Sequence, residues 1–310
     1  MLYGSMLSVH AASPVDGVSS VTDRDIRESA IAFVNTSTTP GLEGATISLD
    51  KADRQSEQWR ASLGFAAEFT LRDHIYNGFW GLAAIGGSLS DKIDLIGDAG
   101  QPVHLDITRN VVALRGSLGL SFPINEYFKL RPYLSLIVSD MRSNTIVDGL
   151  IIPVPASNTT TSVTFDTSAQ MLSTVGTIDA LYSRWYGDNR LELVAEYNLI
   201  YTDSFSSDNP ILSTIAWNHT VQAKSRYSGP TDLTTEGRPW RWNGYVNYTS
   251  YISNDTISLG YKNFFDVGGG LDWEINIKPL DWFGWQALGI RAGVIIGQDV
   301  DGFNVGLTAR

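Results

Sequence analysis

The sequence predicts an all-β protein: a 12-stranded antiparallel transmembrane β-barrel with a short N-terminal helix in its lumen. Three observations lead to this fold class. Apolar residues alternate with small, polar or charged ones over long stretches, which is the period-two pattern of strands. The number of such stretches is even, as in bacterial outer-membrane barrels. The aromatic content is high, with 9 Trp and 13 Tyr.

The composition excludes several classes of protein. The chain has 310 residues and a net charge of −11, from 22 basic and 33 acidic residues, which argues against nucleic acid as a partner. It has no cysteine, so it forms neither disulfides nor thiolate metal sites. No apolar run approaches the roughly 18–20 residues that a membrane helix needs, which excludes a helical membrane protein.

In this interpretation the chain consists of an N-terminal part and a barrel. Residues 1–43 are expected to hold a leader remnant and the helix, and residues 44–310 the transmembrane barrel. "MLSVHAAS" (6–13) ends like a secretory signal but follows no basic n-region, so a truncated export signal and a meaningless leader both stay open. The helix is predicted at about 22–34, where Thr22 is a candidate N-cap and Asp25 occupies the capping-box position.

The stretch "QWRASLGFAAEFTLR" (58–72) shows how each strand is interpreted. Leu63, Phe65 and Phe69 share one face, and Arg60 and Glu68 share the other. Strands of soluble sandwiches usually run about 5–6 residues, whereas a tilted membrane strand needs about 9–11. The twelve strands are predicted at 44–50, 57–71, 78–90, 103–121, 127–142, 165–185, 190–204, 214–227, 239–252, 258–273, 285–297 and 301–310.

The charged face of these strands predicts a polar lumen. Its lining candidates are Arg60, Glu68, Arg115, Lys129, Arg131, Glu192, Glu196, Lys224 and Arg241. The same charges would face water in a soluble sandwich, so the tryptophans decide between a sandwich and a membrane barrel. Tryptophan prefers the membrane–water interface. Near the rim with the shorter turns we expect a belt of Trp80, Trp185, Trp240, Trp242, Trp273, Trp282 and Trp285; Trp59 and Trp217 lie near the other rim.

The connections differ between the two ends of the predicted barrel. Those after even-numbered strands are mostly short, as in "PINE" (123–126). Those after odd-numbered strands include "SNTIVDGLIIPVPASNTTTS" (143–162), which lacks a spanning period-two run and is rich in Ser, Thr, Asn and Pro. We therefore expect residues 143–162 to form a long, mobile, extracellular loop.

At this point the sequence resembles a known family. The order of a helix, twelve strands and a last membrane strand looks like the autotransporter translocator domain of Gram-negative outer membranes. "FNVGLTAR" (303–310) carries the frame of the outer-membrane assembly signal at Asn304, Gly306 and Ala309. "YSGPTDLTTEGRPWRWNGYVNY" and "LGYKNFFDVGGGLDWEINIKPLDWFGWQALGIRAGV" look like the solitary autotransporter-like barrels of gammaproteobacteria.

The resemblance implies several properties. These are export across the inner membrane, a monomeric barrel in the Gram-negative outer membrane, contact with its lipids and assembly machinery, and no cofactor. Relatives carry a helix inside the pore, and 22–34 is the matching segment, which charge matching with the lumen also favours; a helix outside in the periplasm is the alternative. About 43 residues precede the first strand. They are too few for a passenger, so translocator activity is not carried over. Relatives end on an aromatic residue, which we expect at position 311.

Candidate chemistry in the chain is sparse. His219 is predicted near the lipid face with Ser250 on the neighbouring strand, the arrangement of a barrel phospholipase, but the Gly-His-x-Ser-x-Gly surroundings of that family are absent. "QDVDGF" (298–303) lacks the closing Glu of a calcium loop and is interpreted as a hairpin turn. The predicted function is therefore a porin-like structural, pore or transport role without catalysis. A lipid hydrolase using His219 and a secreted soluble β-rich binding protein are the alternatives.

Overall fold

A computed structural model describes residues 33–34, 44–51, 54–71, 76–96, 101–154, 157–208, 215–252, 261–275 and 287–309. Three sequence predictions lie outside this part: most of the helix at 22–34, the tryptophans at 282 and 285, and the C-terminal end of the chain. Within the described part, no helical segment is long and apolar enough to span a bilayer.

The chain forms twelve β-strands that close into one antiparallel barrel. Each strand pairs with its neighbours in sequence, and the first strand pairs with the last, for example through Ala45 and Asn304. The predicted twelve-stranded antiparallel barrel is therefore confirmed. The strands are β1 (Gly44–Lys51), β2 (Arg54–Thr70), β3 (Asn77–Ile96), β4 (Pro102–Pro123), β5 (Phe128–Val154), β6 (Ser157–Tyr186), β7 (Asn189–Ser207), β8 (Ile215–Thr235), β9 (Arg238–Tyr251), β10 (Asn263–Glu274), β11 (Ala287–Gly297) and β12 (Val300–Ala309).

The two faces of each strand differ because successive side chains point to opposite sides of a sheet. On β4, Val112, Leu114 and Leu118 point outward and are 68, 66 and 70% exposed. Between them, Ala113 and Ser117 point into the barrel and are buried. A closed barrel thus turns the alternating sequence into an apolar outer surface and an interior of small and polar groups.

The apolar outer surface has a sharp upper limit on neighbouring strands. Toward the end that carries the odd-numbered connections, the outward residues become polar at Ser88 on β3, Asn110 on β4, Asp140 on β5 and Gln170 on β6. Below that limit on β4, the outward residues from Val112 to Phe122 are apolar or glycine. At about 3.3 Å per residue and a tilt near 40°, this run is roughly 25 Å high, the height of an outer-membrane apolar band.

Strands β5 and β6 are longer than the sequence pattern predicted. β5 continues to Val154 and β6 begins at Ser157, so residues 143–154 and 157–162 belong to one extended hairpin. The prediction that 143–162 is a loop is therefore wrong, whereas the predicted mobility and extracellular location of this segment stay predictions. Above the apolar band both faces of a strand tolerate polar residues, so pairing of the Thr- and Val-rich segments does not require alternation. At the opposite end of the barrel, β8 and β9 likewise extend beyond the apolar band, to a two-residue turn at Glu236 and Gly237.

The described end of the predicted helix lies inside the barrel. Phe33 and Val34 are helical, and both are fully buried. They pack in an apolar cluster with inward-facing residues of four strands: Leu89, Val111, Met141, Ala169 and Met171. This short segment thus packs against apolar side chains, and the predicted charge matching of residues 22–32 lies outside the described residues.

Candidate functional site: the barrel interior

The interior has two chemically different halves. Toward the odd-numbered connections it holds apolar clusters, one of which contains Val103, Leu105, Ile107 and Val147. Toward the even-numbered turns it holds charged side chains. These come from at least six strands and form ion pairs between strands on the inner face of the barrel. The sequence-predicted lining candidates lie in this charged half or at its upper edge.

Glu68 on β2 links the first strands to β5. Its carboxylate accepts a hydrogen bond from Lys129 Nζ at 3.0 Å and one from Ser121 Oγ at 3.1 Å. Arg131 lies 3.6 Å from the same carboxylate. The long side chains reach past β3 and over β4, whose inward residues at this level, Gly119 and Ser121, are small. Three of the predicted lining residues are thereby brought together.

Arg131 also forms a bidentate ion pair with a carboxylate of the next strand. Its Nε and Nη2 donate to the two oxygens of Asp179 at 2.9 and 2.8 Å. The guanidinium lies 5.2 Å from the centre of the Phe79 ring. A bidentate pair of this kind is both strong and directional. Asp179 is nearly fully buried, so its charge depends on this partner.

Glu196 continues the network on the next strands. It accepts hydrogen bonds from Lys224 Nζ at 3.0 Å and from Asn198 Nδ2 at 2.8 Å. Asn198 in turn accepts one from Thr177 Oγ1 at 2.7 Å. Arg115 points into the same region and interacts electrostatically with Glu196. The buried carboxylate of Glu196 therefore accepts from donors of β7 and β8, and Thr177 of β6 orients the β7 donor.

The mouth with the short turns carries three further pairs. Glu192 lies 3.0 Å from Arg190 on the same strand. Arg226 pairs with Asp272, to which Asn243 also donates a hydrogen bond at 3.1 Å. Arg241 lies 3.7 Å from Glu274, and its Nη2 donates to the backbone carbonyl of Asp188 at 2.6 Å. Opposite charges alternate around this mouth, so the described interior has no single dominant sign.

Several buried interior residues were not among the predicted lining candidates. Asp179, Asp272 and Asp266 are buried acceptors, and each shares the inward parity of its strand. That parity was the signal that could have found them. Arg54 was also missed; it donates to both oxygens of Asp91 at 2.9 and 2.6 Å near the upper end.

The predicted assembly-signal residues occupy three different environments. Asn304 is buried, accepts a hydrogen bond from Tyr245 Oη at 2.8 Å and donates to Asp266. Gly306 pairs with Arg291, and Ala309 pairs with Leu288, both on β11. Whether cellular machinery recognises these three positions stays a prediction.

Two glycines make room for the Tyr245 side chain. A Cβ built at Gly268 would lie 2.5 Å from Tyr245 Oη, and one built at Gly293 would also clash with that oxygen. Real carbon atoms do not approach this closely, so the hydroxyl reaches Asn304 only because both neighbours lack side chains. Gly268 shares the inward parity of Asp266 on β10 and therefore faces the lumen.

The predicted tryptophan belt has one member that faces differently. Trp80, Trp240, Trp242 and Trp273 lie on the outward parity of their strands, and the rings of Trp240 and Trp273 stack with centroids 6.3 Å apart. Trp185 shares the inward parity of Asp179. The guanidiniums of two arginines at the mouth, Arg190 and Arg241, lie 5.6 and 4.9 Å from its ring centre. Its placement in the outer belt is therefore wrong, because the belt was assigned by height alone and not by facing.

The hydrolase candidates do not form a catalytic pair in the described structure. His219 faces outward, where its Nδ1 is hydrogen-bonded to Tyr197 Oη at 2.6 Å. Ser250 also faces outward but pairs with Val221, and no hydrogen bond joins it to His219 among the described contacts. No group of metal-binding side chains is found in the described part of the chain either.

The comparisons with known proteins place the architecture among solved structures. No protein-family model matches the chain, and no curated protein matches its sequence. The chain is similar to the beta domain of the Bordetella autotransporter BrkA, with 13% identity, a TM-score of 0.49, and coverage of 85% of this chain and 94% of that one. It is also similar to the transport unit of AIDA-I from Escherichia coli, with 8% identity, a TM-score of 0.49, and coverage of 94% and 100%.

A third similarity is to the translocator domain of the autotransporter NalP from Neisseria meningitidis, with 10% identity, a TM-score of 0.42, and coverage of 96% of this chain and 100% of that one. At identities of 8–13%, these similarities concern the fold alone.

Proposed function

We propose that the chain is a Gram-negative outer-membrane β-barrel with a pore or transport role and no catalytic activity. The observation that carries this proposal is the inverted distribution of side chains: leucines such as Leu114 and Leu134 cover the outside, and ion pairs such as Arg131–Asp179 lie inside. A soluble protein avoids apolar surfaces of this extent. Lipid, in contrast, requires an apolar exterior and a closed set of backbone hydrogen bonds.

The same distribution argues against a secreted, soluble binding protein. In that alternative the exposed leucines would face water and the charges would be turned away from it, which is unfavourable on both sides. Contact with outer-membrane lipids, export across the inner membrane, and insertion as a monomer by the assembly machinery belong to the same proposal.

The charged half of the interior supports a pore role. Lys129, Lys224 and Glu68 are partly exposed, so water reaches this half of the barrel. Ions passing near such side chains are attracted or repelled by them, which sets the selectivity of a pore. A structural role without conduction would not require charges that remain accessible to water.

Single-channel recording in a planar bilayer tests this proposal. The purified barrel is expected to produce discrete current steps that are absent with heat-denatured protein. Lys224→Gln should shift the reversal potential in a salt gradient toward cation preference, because it removes a positive charge beside Glu196. Ser90→Gln, on the outer polar surface, is the matched control. Folded protein that inserts without current steps would contradict the pore role.

A lipid hydrolase is the second candidate, and the outward position of His219 is the observation behind it. The hydrogen bond between Tyr197 and His219 provides orientation but no nucleophile. Phospholipid hydrolysis by purified protein that is lost in both His219→Ala and Ser250→Ala would support this candidate. Absence of hydrolysis would leave the non-catalytic proposal in place. Hydrolysis that survives both changes would rule out His219 and Ser250 as its source and would contradict the non-catalytic proposal.

A further inference from the structure

The outer surface of β6 carries an exposed arginine at its edge toward the short turns. Arg184 shares the outward parity of Ile178, which belongs to the apolar surface, and β6 ends two residues later at Tyr186. The outward positions from Leu172 to Ala180 carry no charge. In the membrane of the proposed function, an outward cation at this edge lies where acyl chains end and head groups begin.

Three tyrosines surround the guanidinium of Arg184. It lies 4.9 Å from the centre of the Tyr127 ring and 5.2 Å from that of the Tyr186 ring. It also interacts with Tyr182, whose hydroxyl lies 3.4 Å from that of Tyr186. In the described part of the chain no carboxylate lies within ion-pair distance of Arg184. The aromatic rings thus hold the cation, and its N–H groups remain available to an anion from outside the protein.

Glu126 brings an opposite charge to the same tyrosines. It is exposed in the turn between β4 and β5, and it interacts with the Tyr127 hydroxyl, as Arg184 does. Among the described residues, no lysine or arginine lies within ion-pair distance of its carboxylate. A cation and an anion that do not neutralise each other therefore flank one tyrosine on the outer surface.

We propose that this cluster binds the head group of a phospholipid that carries a primary ammonium next to its phosphate. The phosphate accepts hydrogen bonds from Arg184, a geometry that the planar guanidinium favours. The ammonium donates to Glu126, and an acyl chain lies along the apolar surface at Ile178. The proposal rests on the proposed function, because only a barrel embedded in a membrane presents this edge to lipid head groups.

Native mass spectrometry of the purified barrel in a neutral detergent tests the proposal. Phosphatidylethanolamine, phosphatidylglycerol and phosphatidylcholine are supplied in turn at equal concentrations. The first is expected to bind roughly tenfold more tightly than the other two, because only its head group offers both a phosphate and charged N–H donors. Arg184→Gln should weaken the binding of all three lipids. Glu126→Gln should reduce phosphatidylethanolamine to the level of phosphatidylcholine.

Arg142→Gln is the matched control, because Arg142 is also outward and exposed but lies near the opposite end of the barrel. The gel shift on heating shows that each variant is folded. Equal binding of the three lipids would overturn the proposal, as would unchanged phosphatidylethanolamine binding in Arg184→Gln.

Soluble glycerophosphoethanolamine separates a membrane lipid from a dissolved phosphate ester. It should not displace the lipid at equal concentration, because it has no acyl chain to lie on the apolar surface. Displacement would overturn the assignment to a membrane lipid. Binding is measured without a membrane current, so a barrel that proves non-conducting can still confirm this site.

Discussion

The guanidinium of Arg131 and the carboxylate of Asp179 face each other across neighbouring strands and share two hydrogen bonds, of 2.9 and 2.8 Å. The pair joins β5 to β6, and through Glu68 it also connects to β2. Such a pair stabilises the interior only while both partners are present, because each buried charge depends on the other.

Removal of one partner should therefore cost more than removal of both. Asp179→Ala is expected to lower the free energy of unfolding by about 3–5 kcal/mol, because it leaves Arg131 without its bidentate acceptor. The double variant Arg131→Met with Asp179→Leu should recover most of this loss. Urea titration of the folded band on unheated gels measures both. Equal losses in the single and the double variant would contradict the coupling.

Charge on the outer surface should be tolerated only above the apolar band. Leu114→Arg is expected to destabilise the lipid-inserted barrel by about 2–4 kcal/mol, because the charge would enter the hydrocarbon region. Thr108→Arg, outward on the same strand but above the band, should cost about 0–1 kcal/mol. Unfolding titrations in liposomes compare the two variants. A similar loss of stability in both variants would mean that the apolar band does not end between these two positions.

The upper part of β5, which pairs with β6 on one side and lies beside β4 on the other, should depend on one glycine. Gly149 has φ +92° at the register shift between Asp148 and Leu150, and a Cβ there would clash with the backbone carbonyl of Pro102. Gly149→Ala is expected to speed hydrogen exchange in the upper parts of β4 and β5, because strain of about 1–3 kcal/mol would be relieved by local opening.

Gly187→Ala is the control for that change. Gly187 also has a positive φ, of +62°, but a Cβ there would meet open space. It should therefore show only the smaller backbone penalty, and only near its own turn. Exchange that rises equally around both sites would mean that the contact with Pro102 is unimportant.

The segment at Phe33 should control access through the interior. Phe33→Ala is expected to weaken its packing against Met141 and Met171 by about 3–5 kcal/mol, the usual cost of deleting a buried aromatic ring. Open events in planar-bilayer recordings should then become more frequent or larger. Leu136→Ala, on the outward apolar surface, is the matched control. Unchanged currents in Phe33→Ala would show that this segment does not limit conduction.

The fold was largely predictable because the period-two pattern directly encodes which face of each strand is apolar. The alternation of Leu63, Phe65 and Phe69 with Arg60 and Glu68 was sufficient to place β2 and both of its faces. The upper part of β5 and β6 was missed because strands in contact with water on both faces need no alternation. Backbone pairing alone holds these parts of the strands together. The sequence of one segment does not show which other segment it pairs with.

The interior network was predictable residue by residue but not as a set of contacts. Sequence parity shows that Glu68 and Arg131 point inward, yet it does not show that they meet, because that depends on register and on the small side chains between them. Trp185 illustrates the same limit. Its height along the barrel was predicted from the strand map. Its inward orientation follows from the parity that it shares with Asp179, which the assignment to the belt did not use.

The central claim is that alternate residues of these strands face lipid and the barrel interior. A cysteine scan along β4 tests it most directly, because the chain contains no cysteine and each variant carries a single label. Nitroxides at 112, 114 and 118 should be accessible to oxygen, which concentrates in the bilayer, and protected from a water-soluble nickel reagent. Nitroxides at 113 and 117 should be protected from membrane oxygen. Equal accessibility to the nickel reagent at all five positions would contradict a membrane-spanning barrel.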